Sequence, residues 1–187
     1  MKHMVQNRNI RYEIILELIN NRDIHLRELS KMINFPHPTL YRKIKRLREE
    51  NILDYKVKGR NKVILLKNNI ETLYMVYQSE YYKISRFIKT NPEFSILIEQ
   101  LVKKAKSNLI VIFGSYAKCI AKKNSDIDLF VETKNKKMKE ELENINSRLS
   151  IKIGMFDNET PLGKEIINNH LIIKGVELFY EKNPIFD

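Results

Sequence analysis

The stretch VIFGSYAKCIAKKNSDIDLFVET, residues 111–133, decides how the C-terminal part of this chain is read. An apolar run over 109–113 stops at the turn signal Gly114-Ser115, a short helical stretch from Tyr116 to about Ala121 follows, and a second strand begins at Asp126. Asp126 and Asp128 stand two apart, so the two-residue period of a strand projects both carboxylates from one face and turns Ile127 and Leu129 to the other. Gly114 has no side chain, which lets a phosphate approach backbone amides at a helix start, where N–H groups and the helix dipole favour an anion. Ser115 adds a hydroxyl donor to the same place. Paired carboxylates are hard oxygen ligands suited to Mg²⁺, which binds through one or two carboxylates plus substrate phosphates. Lys118, Lys122 and Lys123 stand where they meet such phosphates or, equally, form a solvated basic surface.

Outward from this stretch, strands and helices alternate. The patterning predicts strands over 108–113, 126–132 and 150–156, helices over 116–122, 136–148 and 161–170, and then a final apolar run, LIIKGVELFYE, over 171–181. Such an order builds an α/β or α+β layer on a small mixed sheet. With the Gly-Ser, the ten residues after it and the Asp-Ile-Asp, residues 95–181 resemble the nucleotidyltransferase superfamily of the DNA polymerase β type, in particular its minimal MNT members. The resemblance implies transfer of a nucleoside monophosphate, AMP from ATP, to an acceptor hydroxyl with release of pyrophosphate. It assigns Gly114, Ser115 and Lys118 to the nucleotide, and Asp126 and Asp128 to Mg²⁺ and catalysis. Minimal members of this type act as antitoxins that adenylylate a tyrosine of a HEPN toxin, so a protein acceptor is implied; a small-molecule acceptor is the alternative. Two positions depart from the pattern. Cys119 stands where the family has glycine, and the strand 150–156, expected to supply a third carboxylate, carries Lys152 and Gly154 but no acid. Asp157, at its end, is the nearest candidate for that catalytic acid, and Glu159 a poorer one; a turn residue is the other reading of Asp157.

The charge is concentrated elsewhere. Residues 1–67 hold 16 Lys+Arg against 7 Asp+Glu, and the remaining residues 18 against 16, so of the net +11 the first third carries +9. Such a split points to one module that meets a polyanion. There, apolar periodicity predicts helices over 7–20 and 26–33, a stop at Asn34-Phe35-Pro36, and a third helix opened by His37-Pro38-Thr39, with Leu40, Ile44 and Leu47 inward and Tyr41, Arg42, Lys43, Lys45, Arg46 and Arg48 outward. Strand-like runs over 53–58 and 61–67 flank the turn Lys58-Gly59-Arg60-Asn61. The order resembles a winged helix-turn-helix, whose last helix enters the major groove. It implies double-stranded DNA as partner, with Thr39, Tyr41, Arg42, Lys45 and Arg46 on bases or phosphates and Lys58 and Arg60 on the backbone or minor groove. A docking surface for protein is the competing reading of the same face.

Residues 68–106 read as two helices broken at Asn91-Pro92, and the tyrosines at 74, 77, 81 and 82 suit packing better than base stacking. The expected architecture is α+β: a winged helix domain over 1–67, a helical connector over 68–106 and a nucleotidyltransferase α/β domain over 107–187. A single cysteine excludes an internal disulfide, and no Cys/His cluster has zinc spacing. No long apolar run or signal-like start points to a membrane, so a cytoplasmic protein is expected, and a homodimer, as winged helices often form. His170 closes a helix with no partner visible in the sequence. Two functions stay open: a Mg²⁺-dependent nucleotidyltransferase joined to a DNA-binding domain, and a non-catalytic DNA-binding regulator whose second domain only binds nucleotide.

Overall fold

The computed structural model describes residues 8–59 and 61–186. They form two compact units, 1–79 and 80–187, which divide within one helix, α4 (Ile70–Thr90).

In the first unit α1 (Ile10–Asn20) starts at Asn9, whose side chain accepts from the Arg11 amide, and buries Ile14, Ile15 and Leu18. Glu13, also buried, is held by Arg8, which further donates to the Ile33 carbonyl at 2.7 Å. A two-residue strand, β1 (Ile24–His25), leads into α2 (Leu26–Met32). The chain turns through Asn34, in the left-handed region at φ 47°, and Pro36 before α3 (His37–Glu49), whose inward stripe is Leu40, Ile44 and Leu47. Asn51, at φ 65°, reverses the chain after α3, and the Ile52 amide reaches back to the Leu47 carbonyl at 2.9 Å. Strands β2 (Leu53–Lys58) and β3 (Asn61–Leu66) then form an antiparallel hairpin closed by the pair Lys58 and Asn61, with Gly59 at φ 63°. β1 pairs with β3, giving the sheet order β1-β3-β2. This is the winged helix expected from the sequence. The two-residue β1 was not, since two residues carry no readable period.

The second unit contains α5 (Phe94–Lys104), β4 (Ile110–Ile112), α6 (Gly114–Ala117), β5 (Ile127–Glu132), α7 (Lys136–Glu143), β6 (Leu149–Gly154), α8 (Pro161–Asn168), β7 (Leu171–Lys174) and α9 (Val176–Lys182). The sheet order is β6-β5-β4-β7, with β5 and β6 parallel and β4 antiparallel to both its neighbours, a small mixed sheet as expected. Alternation sends Ile127, Leu129 and Val131 of β5 and Leu149 and Ile151 of β6 into one core with Phe87, Phe94, Leu101, Met138 and Leu142. The opposite face carries Phe130, whose ring meets Phe156 at 6.0 Å, and Phe156 meets Phe179 of α9 at 5.3 Å. Three elements differ from the sequence patterning. The helix expected over 116–122 is a single turn ending at Ala117, because Cys119 takes φ 57°. The helix expected over 136–148 ends at Glu143, where the chain turns to bring Arg148 back to the sheet. Gly175, at φ 86°, splits the last apolar run into β7 and α9.

His170 has a partner after all. It is buried, its Nε2 lies 3.2 Å from Glu80 Oε1 and its Nδ1 lies 2.9 Å from the Ile166 carbonyl. The Tyr180 hydroxyl donates to the same Glu80 oxygen at 2.9 Å, and Lys83 Nζ is 3.2 Å from Oε2. Burial pushes the Glu80 carboxyl up, but the Lys83 and His170 charges and the two hydrogen bonds outweigh it and hold the group at about 2.

Candidate functional site

The strand-turn-helix at β4 and α6 builds the first site. Phe113 is extended and donates its amide to the Asp128 carbonyl at 3.0 Å, which fixes the end of β4 against β5. Gly114 then turns at φ 65°, a conformation that costs a side-chain-bearing residue about 1 kcal/mol or more. A Cβ there would stand 2.2 Å from Asp128 Oδ2, so the missing side chain is what lets the carboxylate lie against the turn. Gly114 is buried and Ser115 half-buried at the start of α6.

Asp128 lies in the β5 ladder beside Ser150, whereas Asp126 falls one residue before the strand begins and is exposed. Burial, then the charge of Asp126, then that of Glu165 push the Asp128 carboxyl above its ordinary value; Lys152 and Lys118 pull it part of the way back. Glu165, on α8, was not anticipated. Lys118 Nζ bonds Glu165 Oε1 at 2.9 Å, which ties the turn after α6 to α8. No spacing rule in the sequence links residues 47 apart; only the packing of α8 brings them together.

The loop from Lys118 to Asp126 is braced from below. Arg148 donates to the Tyr116 hydroxyl at 3.2 Å and to the Lys123 carbonyl at 2.9 Å, and the Lys122 amide donates to Ser125 Oγ at 2.8 Å. Lys122 and Lys123 are exposed. Asp157 accepts from the Glu159 amide at 2.9 Å in the turn before α8, and its carbonyl abuts Gly163, where a Cβ would come within 1.9 Å. These are the contacts of an Asx turn.

Among the described residues no group of three or more His, Cys, Asp or Glu is placed to hold a metal ion. The two aspartates nonetheless suit one divalent cation. Their oxygens are hard, the repulsion at Asp128 is relieved only in part by Lys152 and Lys118, and phosphate oxygens would complete the coordination, the mode Mg²⁺ prefers over an all-protein cage.

The second site is the exposed face of α3. Tyr41, Arg42, Lys43, Lys45, Arg46 and Arg48 are exposed, while Thr39 is half-buried and accepts from Arg42 Nη2 at 3.4 Å. Arg48 stacks over the Tyr55 ring at 4.3 Å and lies 3.7 Å from Asp54, so it braces the hairpin. Lys58, at the hairpin tip, lies 3.8 Å from Asp23 in a solvent-exposed pair. Arg60 falls outside the described residues.

Residues 96–183 match the model of the polymerase beta nucleotidyltransferase family, and residues 8–54 that of a winged helix-turn-helix DNA-binding family. Among curated proteins none matches. Among solved structures, a MarR/EmrR family transcriptional regulator from Acinetobacter sp. ADP1 is 19% identical, with 51% of this chain and 73% of that chain covered and a TM-score of 0.40. The adhesin competence repressor from Streptococcus pyogenes is 16% identical, with 49% and 69% covered and a TM-score of 0.39. The PcaV transcriptional regulator from Streptomyces coelicolor is 18% identical, with 55% and 79% covered and a TM-score of 0.38. The chain thus joins an N-terminal winged helix-turn-helix to a C-terminal nucleotidyltransferase domain of the DNA polymerase β superfamily.

Proposed function

We propose that the C-terminal domain transfers a nucleoside monophosphate, AMP from ATP, to an acceptor hydroxyl in a Mg²⁺-dependent reaction, and that the winged helix holds this domain on duplex DNA. One observation carries the reading: the Asp128 carboxylate packed against the Gly114 turn, with Asp126 beside it. The α6 amides and Ser115 hold the β- and γ-phosphates, with Lys118, paired to Glu165, adding its charge beside them. The family generally uses Mg²⁺ with a nucleoside triphosphate. Here Asp126 and Asp128 would hold the ion, which supplies charge neutralisation at the phosphates. The acceptor oxygen bonds to the α-phosphorus as the bond to the bridging oxygen breaks, and pyrophosphate departs. The hydroxyl proton passes to a carboxylate, and Asp157, just after β6, is the candidate besides the two aspartates. A tyrosine of a partner protein, such as a HEPN-type toxin, is the acceptor class that the minimal members of the superfamily suggest.

On the DNA side, Tyr41, Arg42, Lys45 and Arg46 would face the duplex and Lys58 its backbone, with Thr39 helping to orient Arg42; Arg60, outside the described residues, is the sequence's further candidate for the backbone. A homodimer would present two such helices to a two-fold operator.

A non-catalytic regulator that binds nucleotide is the second reading, favoured by the lack of an acid on β6. Incubation with labelled ATP, Mg²⁺ and lysate separates the two. Label on a macromolecule, lost in Asp126→Ala and Asp128→Ala, supports transfer; nucleotide binding without incorporation leaves the regulator. For DNA, the slope of log affinity against log salt should fall by roughly one for each of Arg42, Lys45 and Arg46 replaced by Ala. A salt-insensitive association would make this face a protein-docking surface.

A further inference from the structure

The parallel ladder fixes what β6 presents to Asp128. Asp128 pairs with Ser150 and Phe130 with Lys152, so Ser150 lies directly beside Asp128 and Lys152 one diagonal step away on the same face. Leu149 and Ile151 go to the buried core on the other face. Gly154, the other non-acidic residue noted on this strand, pairs with Glu132, four residues along the ladder and about 13 Å from Asp128. The place beside Asp128 is therefore filled by a hydroxyl and, next to it, an ammonium. That ammonium's field reaches the Asp128 carboxylate.

A second divalent ion between β5 and β6 would need another hard, anionic ligand on this face, and it would meet Lys152 instead. Glu165 approaches from α8 but is engaged by Lys118 at 2.9 Å. A fixed ammonium repels a second cation and attracts phosphate oxygens. We infer that the site takes one divalent cation, on Asp126 and Asp128, and that Lys152 supplies the second positive charge to the triphosphate from the β6 side. This rests on the nucleotide-binding reading above.

The test counts ions and weighs charge separately, on the full chain, with a non-hydrolysable α,β-methylene ATP analogue. Mn²⁺ titration followed by paramagnetic resonance should give one protein-bound ion per chain with the analogue saturating. The double variant Ser150→Asp, Lys152→Ala should take up a second. In chelator, without divalent ions, Lys152→Gln should weaken analogue binding about fivefold or more and Lys152→Arg should retain it; a purely structural lysine would not divide the two. Two ions in the wild type, no second ion in the folded double variant, or unchanged analogue affinity in Lys152→Gln each overturns the inference while leaving nucleotide binding intact. Analogue that does not bind at all overturns the nucleotide-binding reading itself, and the inference with it.

Discussion

Glu80 and Asp128, two carboxylates of the same unit, meet burial with opposite outcomes. Desolvation is the largest influence on both and pushes each upward. Around Glu80 the neighbours are Lys83, His170 and the Tyr180 hydroxyl, and they reverse the shift. Around Asp128 the strongest neighbours are two more acids, and the shift stands. A completed carboxylate contributes to the fold, whereas an uncompensated one carries a standing demand for a cation. In the proposed function, stability and ligand binding would rest on different acids of one domain.

The largest expected effect lies at Glu80. Its folded value, about 2, lies below the ordinary 4.5, so its contribution is full above 4.5 and is lost as pH falls through 2. A shift of this size corresponds to about 3 kcal/mol. Glu80→Gln should lose about that much in urea unfolding at pH 7 and flatten the pH dependence of stability between 4.5 and 2. Wild-type stability in this variant would erase the contrast.

Gly114→Ala comes next. The positive φ and the encounter with Asp128 Oδ2 should together cost about 2 kcal/mol of stability and at least about tenfold in nucleotide affinity, read by thermal unfolding and calorimetry. Unchanged nucleotide affinity would mean that the turn does not receive the phosphates.

The smallest effect has the opposite sign. Asp128 is raised from 3.8, so its contribution favours the fold below that pH and is lost as pH rises through the folded value. At pH 7, Asp128→Asn should therefore stabilise the ligand-free chain, by under about 1 kcal/mol because the group is largely solvated, while removing Mn²⁺-dependent nucleotide binding. A lower melting temperature than wild type would make Asp128 a structural acid like Glu80.

Much of this was legible in the sequence, and the reason is locality. The Gly-Ser turn, the strand that carries Asp128, the helix-turn-helix order and the Lys58–Asn61 hairpin are each encoded within a few residues by period or by turn chemistry. The misses are of two kinds. Backbone reversals at Cys119 and Gly175 cut elements that apolar periodicity alone extends. Tertiary partners, Glu165 for Lys118 and Glu80 for His170, lie far apart in the chain and leave no spacing signal. The lack of an acid on β6 was legible, but only the strand register shows that Ser150 is abreast of Asp128 and Lys152 one step beyond it.

The reach of Glu80's bonds has a temporal consequence. Its partners His170 and Tyr180 lie 90 and 100 positions later in the chain, and β7 closes on β4 across about sixty. The winged helix, by contrast, pairs β2 with β3 across a two-residue turn and β1 with β3 across about forty positions. During synthesis at about 5–20 residues per second, the DNA-binding module can settle seconds before the second domain has the residues it needs. A nascent chain halted before Tyr180 would carry a finished winged helix and an unlocked nucleotidyltransferase domain, so premature termination would separate the two modules by age.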